Sequence, residues 1–155
     1  FMDMTEEQWD KTIDTNLKGY FLVAQAAARE MAKNKWGRII NIASIASGGV
    51  GVGFSQIAHY CASKGGVVGM TEALAVELAP MGILINAVGP GVIESEMTAD
   101  MLKDPKQAEA LLARSALKRA GKPEEIASLV VYLASEESSY TTGATIYVDG
   151  GWLAA

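Results

Sequence analysis

The chain has 155 residues, half of them apolar and a fifth charged, with a formal net charge of -5. This length fits one domain that can bury a core, and the composition is typical of globular rather than disordered or fibrous proteins. Thirteen basic residues against eighteen acidic ones, with no basic cluster, exclude nucleic acid as an expected partner. The apolar runs are shorter than the roughly 20 residues of a membrane helix, so no membrane partner is expected.

The first half of the chain predicts two long helices joined through a strand. A capping-box pattern at 5–8 precedes apolar residues at helical spacing, which predicts a helix over 6–34 that ends at Gly37. An isoleucine-rich segment then predicts a buried strand over 38–43, and a second helical pattern covers 56–79. Three glycines inside this second helix cost helix propensity, so we expect another backbone to approach it closely; they are Gly65, Gly66 and Gly69.

The second half continues the alternation of strands and helices. The predicted elements are a strand over 83–88, a helix over 104–117, a helix that begins at about 122, and a strand over 145–148. Strands that alternate with helices in this way are typical of parallel α/β sheets. The sequence therefore predicts a single α/β domain over 1–155.

The cysteine and histidine content limits the possible chemistry. Cys61 is the single cysteine, which excludes an internal disulfide and indicates a reducing, cytoplasmic location. We interpret Cys61 as a small packed residue rather than a nucleophile, and the single histidine, His59, as facing solvent or packed against a loop. Too few ligands stand at recognisable spacing to predict a metal site.

Tyr60 and Lys64 are the strongest indication of an active site. Residues four apart face the same side of a helix, so a phenol and an ammonium are expected to lie together. Ser44 follows the first strand and would bring a hydroxyl from the end of the sheet where α/β proteins bind ligands. This combination suits proton transfer to or from an alcohol or carbonyl.

Several motifs in one order support this interpretation. They are Asn16 in Asp-Thr-Asn-Leu-Lys-Gly, Ser44 in Ile-Ile-Asn-Ile-Ala-Ser, Tyr60 and Lys64 in Tyr-x-x-x-Lys, Pro90 and Gly91 in Gly-Pro-Gly-Val-Ile, and the closing segment 143–151. Over essentially its whole length the chain resembles the C-terminal part of the short-chain dehydrogenase/reductase family. The resemblance implies the C-terminal half of a Rossmann-type doubly wound parallel sheet, with the N-terminal cofactor-binding half absent from the chain.

The resemblance also implies roles for four catalytic residues. Tyr60 would exchange a proton with the substrate oxygen, and Ser44 would orient that oxygen and stabilise its charge. A phenol is ordinarily too weak an acid to ionise at neutral pH, so the ammonium of Lys64 and an oxidised nicotinamide ring would stabilise the phenolate. Asn16 would hold a water in the proton relay behind Lys64, although alone it could be only an interhelical hydrogen-bonding residue.

The implied cofactor is NAD or NADP, and the implied reaction is hydride transfer with a small carbonyl or secondary alcohol. Tyr60 and Lys64 would contact the nicotinamide ribose side, and a segment after the second strand would hold the nicotinamide end; its residues are Pro90, Gly91, Val92, Ile93 and Ser95. The segment from 94 to 117 would form an apolar substrate lid. In contrast, the glycines of 48–53 do not fit a dinucleotide fingerprint and are predicted to form a flexible loop over the substrate pocket.

The family's diphosphate loop is missing from this sequence, which leaves two interpretations. The chain could be a fragment or one part of a longer oxidoreductase, with weak or absent cofactor binding on its own. Alternatively, it could be a catalytically silent assembly module, since the helices over 6–34 and 56–79 form the usual dimer surface in the family. The resemblance implies a homo-oligomer, a dimer or a tetramer. The first predicted strand would have an unpaired edge in either case, which is an aggregation liability.

Overall fold

The computed structural model describes residues 1–48 and 53–155, and within them the fold is a layered α/β arrangement. Three parallel strands form one sheet in the order β1 (Gly37–Ile42), β2 (Ile83–Pro90) and β3 (Thr145–Val148). β2 lies in the centre and pairs with β1 from Gly37 opposite Ile83 to Ile42 opposite Val88. The predicted α/β class with a parallel sheet is therefore confirmed, and β1 lies at an edge of the sheet in the described part of the chain.

Six α-helices surround this sheet in the described residues. They are α1 (Glu6–Ile13), α2 (Gly19–Asn34), α3 (Ala58–Leu78), α4 (Glu96–Lys103), α5 (Pro105–Leu112) and α6 (Pro123–Ala134). No helix in these ranges is both long enough and apolar enough to cross a bilayer. In the same ranges, no group of three or more His, Cys, Asp or Glu residues is arranged to hold a metal ion.

The helix predicted over 6–34 is interrupted by a π-helical turn at Asp14–Lys18. The predicted capping box is present at its start, where Thr5 and Gln8 exchange hydrogen bonds. The predicted end at 34 is correct, but Lys35 rather than Gly37 takes the left-handed conformation that terminates the helix, with φ of 51°. Gly37 instead starts β1, where a Cβ atom would lie 2.8 Å from the Cβ of Met31, so its small size serves packing.

The segment after β2 contains one helix more than the sequence analysis predicted. Ser95 is the N-cap of α4, and its backbone N–H donates to the Thr98 hydroxyl at 3.0 Å. Asp104 caps α5 as predicted, accepting from the Lys106 N–H at 2.9 Å. The helix predicted to reach 117 stops at Leu112; beyond it the Ser115 N–H binds the Leu112 carbonyl at 3.0 Å, and the Leu117 N–H binds the Gly150 carbonyl at 3.1 Å.

The core explains how the sheet fixes the two long helices. Side chains alternate between the faces of a strand, and Ile39, Ile83 and Ile85 meet α2 and α3 on one face. On the other face, Arg38 reaches the carbonyl of Ser135 at the end of α6. Helices therefore cover both faces of the sheet, which places the start of α3 beside the carboxyl ends of β1 and β2.

The glycines of α3 were expected to permit a close approach, and two of the three do. A Cβ atom on Gly65 would lie 2.6 Å from the carbonyl oxygen of Ser47, and one on Gly66 would lie 2.7 Å from the Leu17 side chain. Gly69 has nothing within 4 Å of such an atom in the described residues. The expected approach of another backbone is thus confirmed for Gly65, whereas Gly66 meets a side chain and Gly69 meets neither within the described residues.

The start of α6 carries an ion pair whose effect on stability depends on pH. Arg119 donates two hydrogen bonds of 2.8 Å to the Glu125 carboxylate, and the Lys122 N–H donates a third. These bonds lower the pKa of Glu125 from 4.5 to about 2. Because the folded state then binds fewer protons than the unfolded state, the contribution is complete above pH 4.5 and is lost as pH falls toward 2.

We expect Glu125→Gln to lower the free energy of unfolding near neutral pH, and the difference from wild type to shrink below pH 4.5. Urea unfolding at a series of pH values measures this difference. Glu124→Gln is the matched control, since it removes one negative charge from the same helical turn without altering the Arg119 pair. A difference that stayed constant from pH 7 to pH 3 would contradict the assigned stabilisation.

Candidate active site

Lys64 lies almost buried where α3 passes the carboxyl end of β1. Lys64 is 8% exposed, and its Nζ donates to the carbonyl oxygen of Ile42 at 2.8 Å. Burial removes water from the ammonium and lowers the pKa of Lys64 from its ordinary value. An ammonium has three protons to donate, so the bond to Ile42 leaves two for other acceptors.

Two tyrosine rings flank the Lys64 ammonium. Nζ lies 5.2 Å from the centroid of the Tyr20 ring and 5.8 Å from that of Tyr60, both within the range of a cation–π interaction. The Tyr20 hydroxyl also donates to the Ile42 carbonyl, at 3.1 Å. Burial raises the pKa of Tyr20, which keeps that phenol protonated and able to donate.

Asn16 meets the first turn of α3 through a serine. Its Nδ2 donates to the Ser63 hydroxyl at 3.4 Å, and that hydroxyl donates to the Tyr60 carbonyl at 2.7 Å. Asn16 occupies the π-helical turn, a feature often found at functional sites. The structure therefore brings Asn16 to the turn of α3 that carries both Tyr60 and Lys64.

Ser44 follows β1 directly and lies at the same edge of the sheet. Its hydroxyl oxygen accepts the N–H of Ala46 at 3.1 Å, and its own proton has no acceptor among the described residues. The neighbouring Ile45 N–H binds the carbonyl of Pro90 at 3.1 Å. Ser44 and the Pro90–Gly91 segment consequently stand side by side at the ends of adjacent strands.

The segment over 90–95 is fixed from two directions. The Gly91 N–H binds the Val148 carbonyl at 3.0 Å, and a Cβ atom on Gly91 would lie 2.7 Å from the Cα of Asp149. Ile93 forms a parallel bridge with Gly121. Ser95 lies further out as the exposed cap of α4, where its hydroxyl is 3.2 Å from that of Thr98. Of the predicted cofactor residues, Pro90 thus ends β2, Gly91 to Ile93 follow it and are held by these contacts, and Ser95 lies further out.

Two residues of this region were not singled out from the sequence. Tyr20 fits the apolar spacing of its helix, and nothing in that spacing shows that its hydroxyl reaches the carbonyl bound by Lys64. Ser63 lies inside the Tyr-x-x-x-Lys motif and was given no role from the sequence. It is completely buried, and its hydroxyl links the Asn16 side chain to the Tyr60 carbonyl.

The predictions for His59, Cys61 and the glycine loop have different outcomes. His59 is half-buried, and its Nδ1 has no hydrogen-bond partner in the described part of the chain. Cys61 is also only half-buried beside Tyr60, so its reading as a packed residue holds in part. The loop predicted over Gly48–Gly53 lies largely outside the described residues, which omit 49–52.

Comparison with known proteins now defines the class. A family model described as enoyl-(acyl carrier protein) reductase matches residues 1–153. Proteins that share this match are short-chain dehydrogenases/reductases, and the chain belongs to that family. The resemblance stated from the sequence motifs is therefore confirmed.

Particular relatives are similar over nearly the whole chain. The 3-oxoacyl-[acyl-carrier-protein] reductase of Rickettsia felis is 48% identical over 151 residues, which are 97% of this chain and 60% of that protein. A short-chain type dehydrogenase/reductase from Mycobacterium marinum is 42% identical with a TM-score of 0.89, over 98% of this chain and 59% of that one.

A second solved structure adds a cofactor complex to these relatives. The gluconate 5-dehydrogenase from Burkholderia cenocepacia, in complex with NADP and tartrate, is 33% identical with a TM-score of 0.93. The match covers 99% of this chain and 59% of that one. The chain therefore spans about 60% of the length of the relatives that it matches.

Proposed function

We propose that the chain is the catalytic half of an NAD(P)-dependent oxidoreductase that transfers hydride between the cofactor and a carbonyl or secondary alcohol. The observation that carries this proposal is the buried Lys64 ammonium, held at 2.8 Å from the Ile42 carbonyl between two tyrosine rings. A buried ammonium needs partners, and in the part of the chain that the structure describes its one hydrogen-bond acceptor is the Ile42 carbonyl, which leaves two protons for a ligand beside the Tyr60 ring. Membership of the family and the NADP complex of a relative support the same reaction.

The residues present fit a nicotinamide cofactor at this end of the sheet. Lys64 has two spare donors for ribose hydroxyls, and the segment from Pro90 to Ile93 offers backbone groups to the carboxamide. When bound, the cofactor supplies the hydride. The diphosphate and adenine contacts belong, in this proposal, to a preceding segment, consistent with the 60% coverage of the relatives.

Each catalytic residue has one task in the reduction direction. Tyr60 gives its proton to the substrate oxygen as negative charge develops there, and the Ser44 hydroxyl donates a hydrogen bond to the same oxygen. The Lys64 ammonium stabilises the phenolate that remains. Asn16, tied to this turn through Ser63, holds the water that returns a proton.

The substrate that we favour is a 3-oxoacyl thioester. The relative with that name is 48% identical, whereas the gluconate dehydrogenase is 33% identical. The apolar side chains of α4 and α5 suit an acyl chain better than a polyol; they are Met97, Met101, Leu102, Leu111 and Leu112.

A homo-oligomer is part of the proposal, and α2 and α3 provide the surface. A groove of about 560 Å³ lies between these helices, and Val76 on α3 is 80% exposed. Gly69 is also exposed and has no neighbour within the described chain. A second copy would supply the close neighbour that Gly69 lacks within the described residues. A cytoplasmic location, supported by the single cysteine, completes the proposal.

The experiment compares two polypeptides, the 155-residue chain and the longer protein that carries it. We expect the longer protein to oxidise NADPH or NADH with acetoacetyl-coenzyme A, and the 155-residue chain to bind either cofactor weakly or not at all. Gluconate with NADP in the reverse direction tests the polyol alternative. If the longer protein binds neither cofactor and turns over neither substrate, the alternative of a silent assembly module replaces this proposal.

A further inference from the structure

Three side chains that the proposed mechanism does not use form a stack near the last strand. The rings of Phe54 and Trp152 lie 5.2 Å apart between centroids and are tilted by only 12°. The Arg114 guanidinium also lies over the Trp152 ring, at 4.9 Å, and its Nε donates to the Trp152 carbonyl at 3.0 Å. We refer to Phe54, Trp152 and Arg114 as the aromatic clasp.

The Trp152 side of the clasp is rigid. The Asp149 carboxylate accepts the N–H groups of Gly151 and Leu153, each at 2.9 Å, and so closes a tight turn after β3. Gly150 and Gly151 both have positive φ, which favours glycine at these positions. Trp152 is only 9% exposed. The turn therefore holds the indole at a fixed place relative to the sheet.

The Phe54 side has fewer supports of its own. Among the described residues, no atom beyond its chain neighbours lies within 4 Å of a Cβ built on Gly53, and Gln56 takes a left-handed conformation with φ of 68°, which is rare for a residue other than glycine. The stack on Trp152 is thus a principal contact of the described segment Gly53–Ile57, which leads directly into α3 and Tyr60. Its position depends on a residue almost one hundred positions away in sequence.

A second link joins the same two regions. Ser47 follows Ser44 by three residues, and its hydroxyl lies 3.0 Å from the Tyr147 hydroxyl on β3. Ser47 therefore contacts β3 shortly after Ser44, and Phe54 contacts the turn that follows β3 shortly before Tyr60. β3 and its following turn thus hold the chain on both sides of the segment between Ser44 and Tyr60.

We propose that Trp152 is a positioning residue that fixes two walls of the substrate pocket. Through Phe54 it holds Gly53–Ile57, and through Arg114 it holds the chain that follows α5. The effect on turnover rests on the proposed function, whereas the packing does not. Lys64 and Asn16 are held by separate contacts with Ile42 and Ser63. Loss of the clasp should consequently weaken substrate binding more than it slows the chemical step.

The test combines hydrogen exchange with steady-state kinetics in the longer protein. In Trp152→Ala and Phe54→Ala we expect amide exchange in 53–57 to accelerate about tenfold. We also expect KM to rise about tenfold while kcat stays within about threefold of wild type. Trp152→Phe keeps a ring to stack and should restore most of both values. Trp9→Ala, a change on the outer helix α1, is the matched control and should alter neither.

The outcomes separate the packing from the function. If Trp152→Ala fails to fold, Phe54→Ala in the less buried segment decides the result. Unchanged exchange in Phe54→Ala would overturn the clasp, whether or not the protein is an oxidoreductase. Faster exchange with unaltered KM would overturn its role in substrate positioning. Absence of turnover in the wild-type protein would count against the proposed function, and the exchange rates would still test the clasp.

Discussion

Tyr60→Phe is expected to lower kcat by about 10³-fold in the longer protein that we propose, because it removes the hydroxyl to which we assign proton exchange with the substrate oxygen. The phenylalanine ring can keep its place near the Lys64 ammonium, whose bond to the Ile42 carbonyl does not involve the lost hydroxyl. We therefore expect the dissociation constant of NADPH to stay within about threefold of wild type. Initial rates of NADPH oxidation and a fluorescence titration measure the two quantities.

A matched control for this variant is Tyr140→Phe. Tyr140 is fully exposed, so loss of its hydroxyl should leave both kcat and cofactor binding unchanged. Retention of more than about a tenth of wild-type kcat in Tyr60→Phe would contradict the role given to the phenol. A parallel loss of cofactor binding would instead indicate that the substitution disturbs the first turn of α3.

Gly65→Ala is expected to lower the free energy of unfolding by about 1–3 kcal/mol and to reduce turnover as well. The added Cβ would lie 2.6 Å from the Ser47 carbonyl oxygen, and a backbone atom cannot rotate away. Either α3 or the chain that follows Ser44 must then shift. Because Ser44 lies on one side of this contact and Tyr60 on the other, the shift separates two groups that act on one substrate oxygen. Urea unfolding and kcat measure the effects.

The neighbouring Gly66→Ala is the matched control. Its Cβ would meet the end of the Leu17 side chain, which can change rotamer. Alanine also favours a helix by about 1 kcal/mol over glycine, which offsets that adjustment. We expect its free energy of unfolding within about 1 kcal/mol of wild type. Equal losses in the two variants would show that the Ser47 contact is not the cause.

Local signals in the sequence predicted most elements, and longer-range contacts decided where they end. The capping box at Thr5 and the cap at Asp104 were readable because they use side chains close in sequence. After α5 ends at Leu112, the Leu117 N–H binds the Gly150 carbonyl, a long-range contact that no local pattern reveals. The π-helical turn around Asn16 was likewise hidden, since the apolar spacing of its helix continues on both sides.

The same distinction applies to the site. Lys64 could be paired with Tyr60 because four residues make one helical turn. The Ile42 carbonyl, which both Lys64 and Tyr20 use, is a backbone atom and leaves no trace in residue identity. The contact of Phe54 with Trp152 joins segments that only the completed sheet brings together.

The acceptor of the Lys64 ammonium has one further consequence. A main-chain oxygen is present whatever residue occupies position 42, so no single substitution can delete it. Substitutions of side chains on β1 therefore leave the Ile42 carbonyl available to accept from Lys64. The ammonium would lose its place only if the end of the strand itself moved, which ties the durability of the site to the pairing of β1 with β2.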